Sequence, residues 1–288
     1  MPWFAYLCLS CSMLLVGSNI AIGKLVLAEV PVFLFAGLRF LIATLVLLPG
    51  MGMHRVRQGL DRRAARGLFL QAFFGCFLFS LLMLYGVQYT SAGIITSATP
   101  CAVALLGWIW LREPIGKRVM LAIALAAGGI AVLNLPDGRQ VGLGSLLGNL
   151  LVLGAVFAEA IFAIYSRRLS LSLHPWAMAF GVNLAGLVLF LPLAVPEALA
   201  LDLSAVSATT WAWLVFYALS ASVLSFLLWY RGVREVAAGI AGLFTGLMPV
   251  GAAMVGISLL GEGLEAGRLL GMTLVLVAIA LGAGPRRA

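Results

Sequence analysis

The chain has 288 residues, of which 63% are hydrophobic and only 10% charged, and its mean hydropathy is +1.13. That leaves too little polar surface to cover a soluble globule, so the sequence describes a polytopic membrane protein. The net charge of +8 does not indicate a nucleic-acid binder, because Lys and Arg sit in short groups between apolar runs and form no contiguous stripe.

The hydrocarbon core admits only helices or closed barrels, and unbroken apolar runs of about 20 residues indicate helices. The fold class is therefore all-α, with spans predicted at 3–25, 31–49, 66–88, 91–111, 117–135, 143–166, 174–193, 208–230, 237–260 and 266–284. Most breaks carry a helix starter or stopper: Pro31, Pro49, Pro114, Pro136 with Gly138, Pro175 and Pro196. Met1 leads almost at once into the first span, without a basic stretch or a small-residue cleavage site, so that helix is expected to remain. Cys8, Cys11, Cys76 and Cys101 lie in apolar segments without a nearby His and read as reduced small residues, with no metal site and no cofactor expected.

Assigning alternate loops to alternate sides places fourteen Lys and Arg on the N-terminal side and only Lys24, Arg139 and Arg268 on the other. The positive-inside rule then puts both termini in the cytoplasm, and the bias favours an even number of spans. The second half also repeats the first. Gly86-Val87 and Ala92-Gly93-Ile94 recur as Gly232-Val233 and Ala238-Gly239-Ile240, and Pro100, Leu111 and Glu113 recur as Pro249, Leu260 and Glu262. Five spans per copy force the second copy to enter the bilayer upside down, which gives inverted repeats over 1–138 and 139–288, the build of a secondary transporter.

With these elements in place, the chain resembles the EamA-type ten-helix exporters of the drug/metabolite transporter superfamily. The resemblance rests on Gly17-Ser18-Asn19 with Lys24, Leu38-Arg39-Phe40, Ser91-Ala92-Gly93 through Pro100 to Leu111-Arg112-Glu113-Pro114, and Val236-Ala237-Ala238-Gly239 with Pro249 and Leu260-Gly261-Glu262. The family's frequent Trp before the Gly-Ser-Asn element is Val16 here. The resemblance implies a central cavity between the two halves, alternating access, and export of amino acids or related metabolites; one subgroup exports aromatic amino acids.

A charge in mid-membrane costs about 2.5 to 3.5 kcal/mol on insertion scales and needs a reason to be there. Arg39 and Glu159 qualify: Arg39 as an anchor for a substrate carboxylate or as a structural link to carbonyls, Glu159 as a proton-binding or ammonium-binding carboxylate or as a partner for hydroxyls. Their depths differ by about 12 Å at 1.5 Å per residue, so they are not expected to pair directly. Near the bilayer centre, Asn19, Phe79, Ser80, Ser97, Thr99, Asn183, Tyr217, Ser220 and Thr245 are the candidate polar and aromatic substrate contacts, and Phe162 is a candidate for stacking. Each Ser or Thr alone is more often bonded to its own helix. Gly17, Gly75, Gly154 and the Gly246/Pro249 pair are candidate bending points, while Gly128-Gly129 and Gly181 suit close helix approach.

The segment from Gly17 to Lys24 is one residue too long for a phosphate-binding loop and lacks the following Ser or Thr. The two histidines, His54 and His174, lie in separate loops, which disfavours a membrane-embedded enzyme, and no connection is long enough to suggest a receptor or scaffold. The sequence thus predicts a non-enzymatic exporter of amino acids and similar metabolites, aromatic and larger apolar ones favoured, with efflux of nucleobases, drugs or other metabolites as the alternative and a non-transporting membrane receptor or scaffold as the alternative of another class. Its expected partners are a small-molecule substrate, the lipid bilayer and, for coupling, protons; the sequence leaves monomer and homodimer open.

Overall fold

The computed structural model describes residues 3–86, 88–89, 96–133, 146–260 and 266–283. Its long helices are α1 (Trp3–Val26), α2 (Val32–Leu47), α3 (Arg62–Gly86), α4 (Thr99–Leu111) and α5 (Lys117–Leu133). The series continues with α6 (Leu146–Ser170), α7 (Pro175–Ala200), α8 (Ala208–Val233), α9 in two parts (Ala238–Phe244 and Leu247–Leu260) and α10 (Ala266–Ala283). Each predicted span overlaps one of them. Seven of the described helices are long and apolar enough to cross a bilayer, and Thr99–Leu111 and Leu269–Ala283 are shorter apolar helices. The protein is an all-helical polytopic membrane protein. Ser91 to Ile94, the 138/139 boundary and Glu262 fall outside the described residues.

Helix starts are fixed by local chemistry. The Asp61 carboxylate accepts from the Ala64 amide at 2.6 Å ahead of α3, and the Ser207 hydroxyl accepts from the Thr210 amide at 3.2 Å ahead of α8. Pro175 begins α7, where its missing N–H costs nothing.

Because lipid tails are as apolar as the helices, association depends on close packing and a few polar contacts. α2 and α7 run antiparallel: Phe40 covers Gly186 and stacks on Phe190 at 5.8 Å. Their ends are tied by complementary polarity. The Leu34 amide near the start of α2 donates to Glu197 Oε2 at 2.7 Å, and Trp176 Nε1 donates to the Leu47 carbonyl at 2.8 Å near the α2 C-terminus. α5 pairs with α10, where a Cβ on Gly129 would lie 2.9 Å from the Gly271 carbonyl oxygen; Gly128 of the same pair faces open space. Among the remaining helices, α1 packs against α8 and α9, α6 packs against α3 and α4, and α4 also meets the first part of α9.

Two distortions recur along the chain. α3 carries a π-helical stretch at Phe73–Leu78, and α8 carries one at Ala218–Leu224, beginning 145 residues later. A turn precedes Thr99 at Ser97 and Ala98, and a turn divides α9 at Thr245 and Gly246. In the α9 turn the backbone changes to three-residue spacing, with Thr245 N bonded to Gly242 O at 3.3 Å and Gly246 N to Leu243 O at 3.2 Å.

Candidate transport pathway and its closure at one end

Glu159 lies thirteen residues from the start of α6 and eleven from its end, so its carboxylate is deep in the span. It accepts a long hydrogen bond from Thr99 Oγ1 at 3.5 Å, at the first turn of α4 and directly after the Ser97–Ala98 turn. Arg39 is also near mid-helix, in α2, but it faces a different group: its guanidinium is 4.3 Å from the Phe40 ring centroid and 5.6 Å from that of Tyr217. Arg39 and Glu159 form no ion pair, in keeping with their different depths and helices.

The remaining candidates separate into local clusters. Asn19 and Ser220 meet in the α1–α8 seam, where the Ser220 hydroxyl lies between Asn19 Oδ1 at 3.0 Å and the Phe216 carbonyl of its own helix at 2.6 Å, and Asn19 Nδ2 returns to the Leu15 carbonyl at 2.8 Å. Tyr217 packs edge-on against Phe35 at 4.8 Å. Asn183 bridges α7 to α8, donating from Nδ2 to the Ser222 carbonyl at 2.8 Å and to its own Ala179 carbonyl at 2.7 Å. Ser80 and Thr245 bond back to their own helices, to Cys76 O at 2.6 Å and Gly242 O at 2.7 Å. Phe79 is half-buried at the end of the α3 π stretch, Ser97 sits half-buried in the turn before α4, and Phe162 lies beside Phe226 at 6.1 Å.

The glycines expected to bend are mostly contact surfaces. A Cβ on Gly17 would lie 1.9 Å from the Met248 carbonyl oxygen, so α1 and α9 touch backbone to backbone there. A Cβ on Gly75 would meet the Phe162 ring at 2.3 Å, whereas one on Gly154 would meet only Leu82 at 3.2 Å. Gly246 lies in the α9 turn with Val275 at 3.0 Å from a Cβ placed on it, and Pro249 falls in the first turn of the following segment.

Sequence reasoning did not assign a closure role to the network at the N-terminal end of the bundle. α4 ends on Arg112, whose φ of 54° is left-handed, and its amide returns to the Gly107 carbonyl. That reversal aims Glu113 back across the bundle. Glu113 Oε1 takes Arg167 Nε of α6 at 3.2 Å, and Glu113 Oε2 takes the Ala238 amide at the start of α9 at 2.6 Å. Arg167 also donates to the Val233 and Arg234 carbonyls at the end of α8, at 3.3 and 2.6 Å. A carboxylate on a helix start and a guanidinium on a helix end each complement the local dipole. One ion pair thus joins four helices. The clue in the sequence was Glu113 and Pro114 directly after an apolar helix.

A second missed cluster lies deeper. Gln71 Nε2 of α3 donates to Ser166 Oγ of α6 at 2.7 Å and to the Tyr230 hydroxyl of α8 at 3.0 Å, and all three side chains are fully buried. An amide flanked by Leu70 and Ala72 was its only signature. Beside the closure, a crevice of about 1250 Å³ opens between the ends of α1, α4, α9 and α10, and no predicted substrate contact lines it. No group of three or more His, Cys, Asp or Glu side chains able to hold a metal is present among the described residues.

Long apolar helices with broken or bulged segments at mid-depth, two isolated membrane charges and an interhelical closure at one end define a polytopic membrane transporter. The EamA-like transporter family model matches residues 3–135 and again residues 146–283, and the chain belongs to that family. It is 40% identical over 280 residues to the uncharacterized transporter YetK of Bacillus subtilis, covering 94% of this chain and 84% of that protein. Protein PecM of Dickeya dadantii is 25% identical over 208 residues, covering 69% of this chain and 67% of PecM. A solved crystal structure with 16% sequence identity superposes with a TM-score of 0.76 over 95% of this chain and 94% of that one, a likeness of fold.

Proposed function

We propose that the protein is a secondary exporter of amino acids and related small metabolites, with aromatic and larger apolar amino acids as first substrates. It works by alternating access of two inverted five-helix halves, 1–138 and 139–288, in a bacterial inner membrane with both termini in the cytoplasm. The observation that carries this reading is the placement of Glu159: a lone carboxylate deep in α6, touching Thr99 where a helix begins at mid-depth. Transporter sites combine a helix terminus inside the membrane with an ionisable group, and the pair suits an ammonium or a proton. Phe162, three residues further along α6, supplies an aromatic wall.

In this mechanism the Glu113–Arg167 network is the cytoplasmic closure. Opening that end separates Glu113 of the first half from Arg167, Val233, Arg234 and Ala238 of the second. The bonds are individually modest, so a substrate with differential affinity for the open state can shift the balance.

The test is uptake of radiolabelled phenylalanine, tryptophan, threonine, methionine and adenine into proteoliposomes, with and without a pH gradient, comparing wild type with Glu159→Gln. Saturable amino-acid uptake that loses its pH response in the variant is the expected result. Adenine uptake without amino-acid uptake would sink the substrate assignment, and a pH response unchanged by Glu159→Gln would remove Glu159 from coupling.

A further inference from the structure

We infer that Arg39 holds the carboxylate of the transported amino acid, in an aromatic recess between the two π-helical stretches. The inference rests on the exporter reading above and names the group that recognises the anionic end of its substrate. Arg39 is half-buried and lies seven residues beyond Val32 in α2, about 10 Å from that helix end at 1.5 Å per residue. Its guanidinium is over the Phe40 ring at 4.3 Å and 5.6 Å from the centre of the Tyr217 ring. Tyr217 directly precedes the α8 π stretch, and the Arg39 charge acts on Cys76 inside the α3 stretch. Phe40 is backed by Phe190, which meets Phe77 of the α3 stretch at 5.2 Å, and Tyr217 is backed by Phe35. Helix ladders interrupted by π stretches recur at functional sites.

A guanidinium carries only donors, arranged as a planar fork. Arg39 donates none of them to a described residue, and it forms no ion pair among the described residues. The acids at the same end of the bundle are engaged elsewhere: Glu29, Glu197 and Asp202 accept the Ser207, Leu34 and Ser204 amides. The rings stabilise the charge through their faces but offer no lone pair to its N–H groups, and a lone charge at this depth is costly. The fork matches a carboxylate, which can take two of its N–H groups at once. The rings beside it suit an aromatic or apolar side chain on the same ligand. In an amino acid the ammonium and the carboxylate sit on one carbon, whereas Arg39 and Glu159 differ in depth by about 12 Å at 1.5 Å per residue. One substrate molecule does not reach both with its charged groups, so recognition of the carboxylate at Arg39 leaves Glu159 to carry the proton.

Ligand-induced shifts in the thermal unfolding of the full-length protein in detergent at neutral pH test the inference without requiring transport. 3-Phenylpropionate, which keeps the carboxylate and lacks the ammonium, should stabilise the wild type. Phenethylamine, which keeps the ammonium and lacks the carboxylate, should not. Arg39→Gln should weaken 3-phenylpropionate binding about ten-fold or more. Arg39→Lys keeps the charge and loses the fork, so it should show a smaller loss, and it decides the matter where Arg39→Gln does not fold. Equal shifts from the two ligands, or undiminished 3-phenylpropionate binding in Arg39→Lys and Arg39→Gln, would overturn the site. Phenylalanine uptake without this discrimination would remove the Arg39 site and leave the exporter reading standing. Discrimination that is lost with Arg39, in a protein that takes up no amino acid, would keep the carboxylate site and remove the amino-acid assignment.

Discussion

α3 and α8 carry the same backbone distortion and secure it in different ways. In each, a π-helical stretch displaces a carbonyl from the regular ladder, and Cys76 in α3 stands 146 residues before Ser222 in α8. The Ser222 carbonyl is taken by Asn183 of another helix, and Ser220 in the same stretch is tied to Asn19 of α1. The Cys76 carbonyl is taken by Ser80 of its own helix, and neighbouring Gly75 is covered by the Phe162 ring. The α8 joint is therefore tethered by hydrogen bonds to two helices. The α3 joint is packed against the Phe162 ring, and its hydrogen bonds to other helices come from Gln71, two residues before the π stretch. Repeating a backbone feature does not repeat its mechanical role; the side chains around it set that.

The strongest way to break this contrast is Gly75→Leu. The added side chain would enter the space of the Phe162 ring, and overpacking of this kind costs about 3 kcal/mol. Thermal unfolding in detergent should show a large loss of stability, whereas the same change at Gly154, which faces only Leu82, should be milder. Next, Asn183→Leu removes the tether and leaves the Ser222 carbonyl unpaired in a buried place, at about 1 to 2 kcal/mol. Transport should fall with stability in that variant; unchanged stability would show that the α8 joint does not need its tether. Ser220→Ala should cost less, about 0.5 kcal/mol, because Asn19 keeps its bond to Leu15 and membrane hydrogen bonds are worth little on average.

The smallest effect concerns the start of α8. Glu29 accepts the Ser207 amide at 2.7 Å ahead of α8, and this bond holds its carboxyl below the ordinary 4.5. A lowered folded-state value means that the contribution is present above 4.5 and is lost as pH falls through the lowered value. Glu29→Gln should therefore lower stability slightly at neutral pH and leave it unchanged well below pH 4.5, which flattens the loss on acidification, measured by unfolding at the two conditions.

Much of the fold was legible in the sequence because bilayer thickness and backbone hydrogen bonding leave few choices. Twenty apolar residues ended by Pro, Gly or a charge cluster must be a spanning helix, so helix limits such as Trp3–Val26 and Ala208–Val233 fall within a few residues of expectation. The two lone membrane charges, Arg39 and Glu159, were legible for the same reason: charge is rare where it is costly. The polar candidates were not separable in this way. Asn19, Asn183 and Ser80 look alike as polar residues in apolar runs, yet one joins α1 to α8, one joins α7 to α8, and one bonds its own helix.

Composition, spacing and the cost of burying charge thus determined that this chain is a membrane protein, where its apolar helices run and which charges are exceptional. The tertiary structure decided how Glu113, Arg167 and Ala238 converge, that Gly17 is a contact between α1 and α9, and that Lys117 borders a crevice. The reason is physical. A single helix dictates its own hydrogen bonds and depth, but which face meets which neighbour depends on small residues and ring positions distributed over several helices, and those terms act only when the helices are assembled.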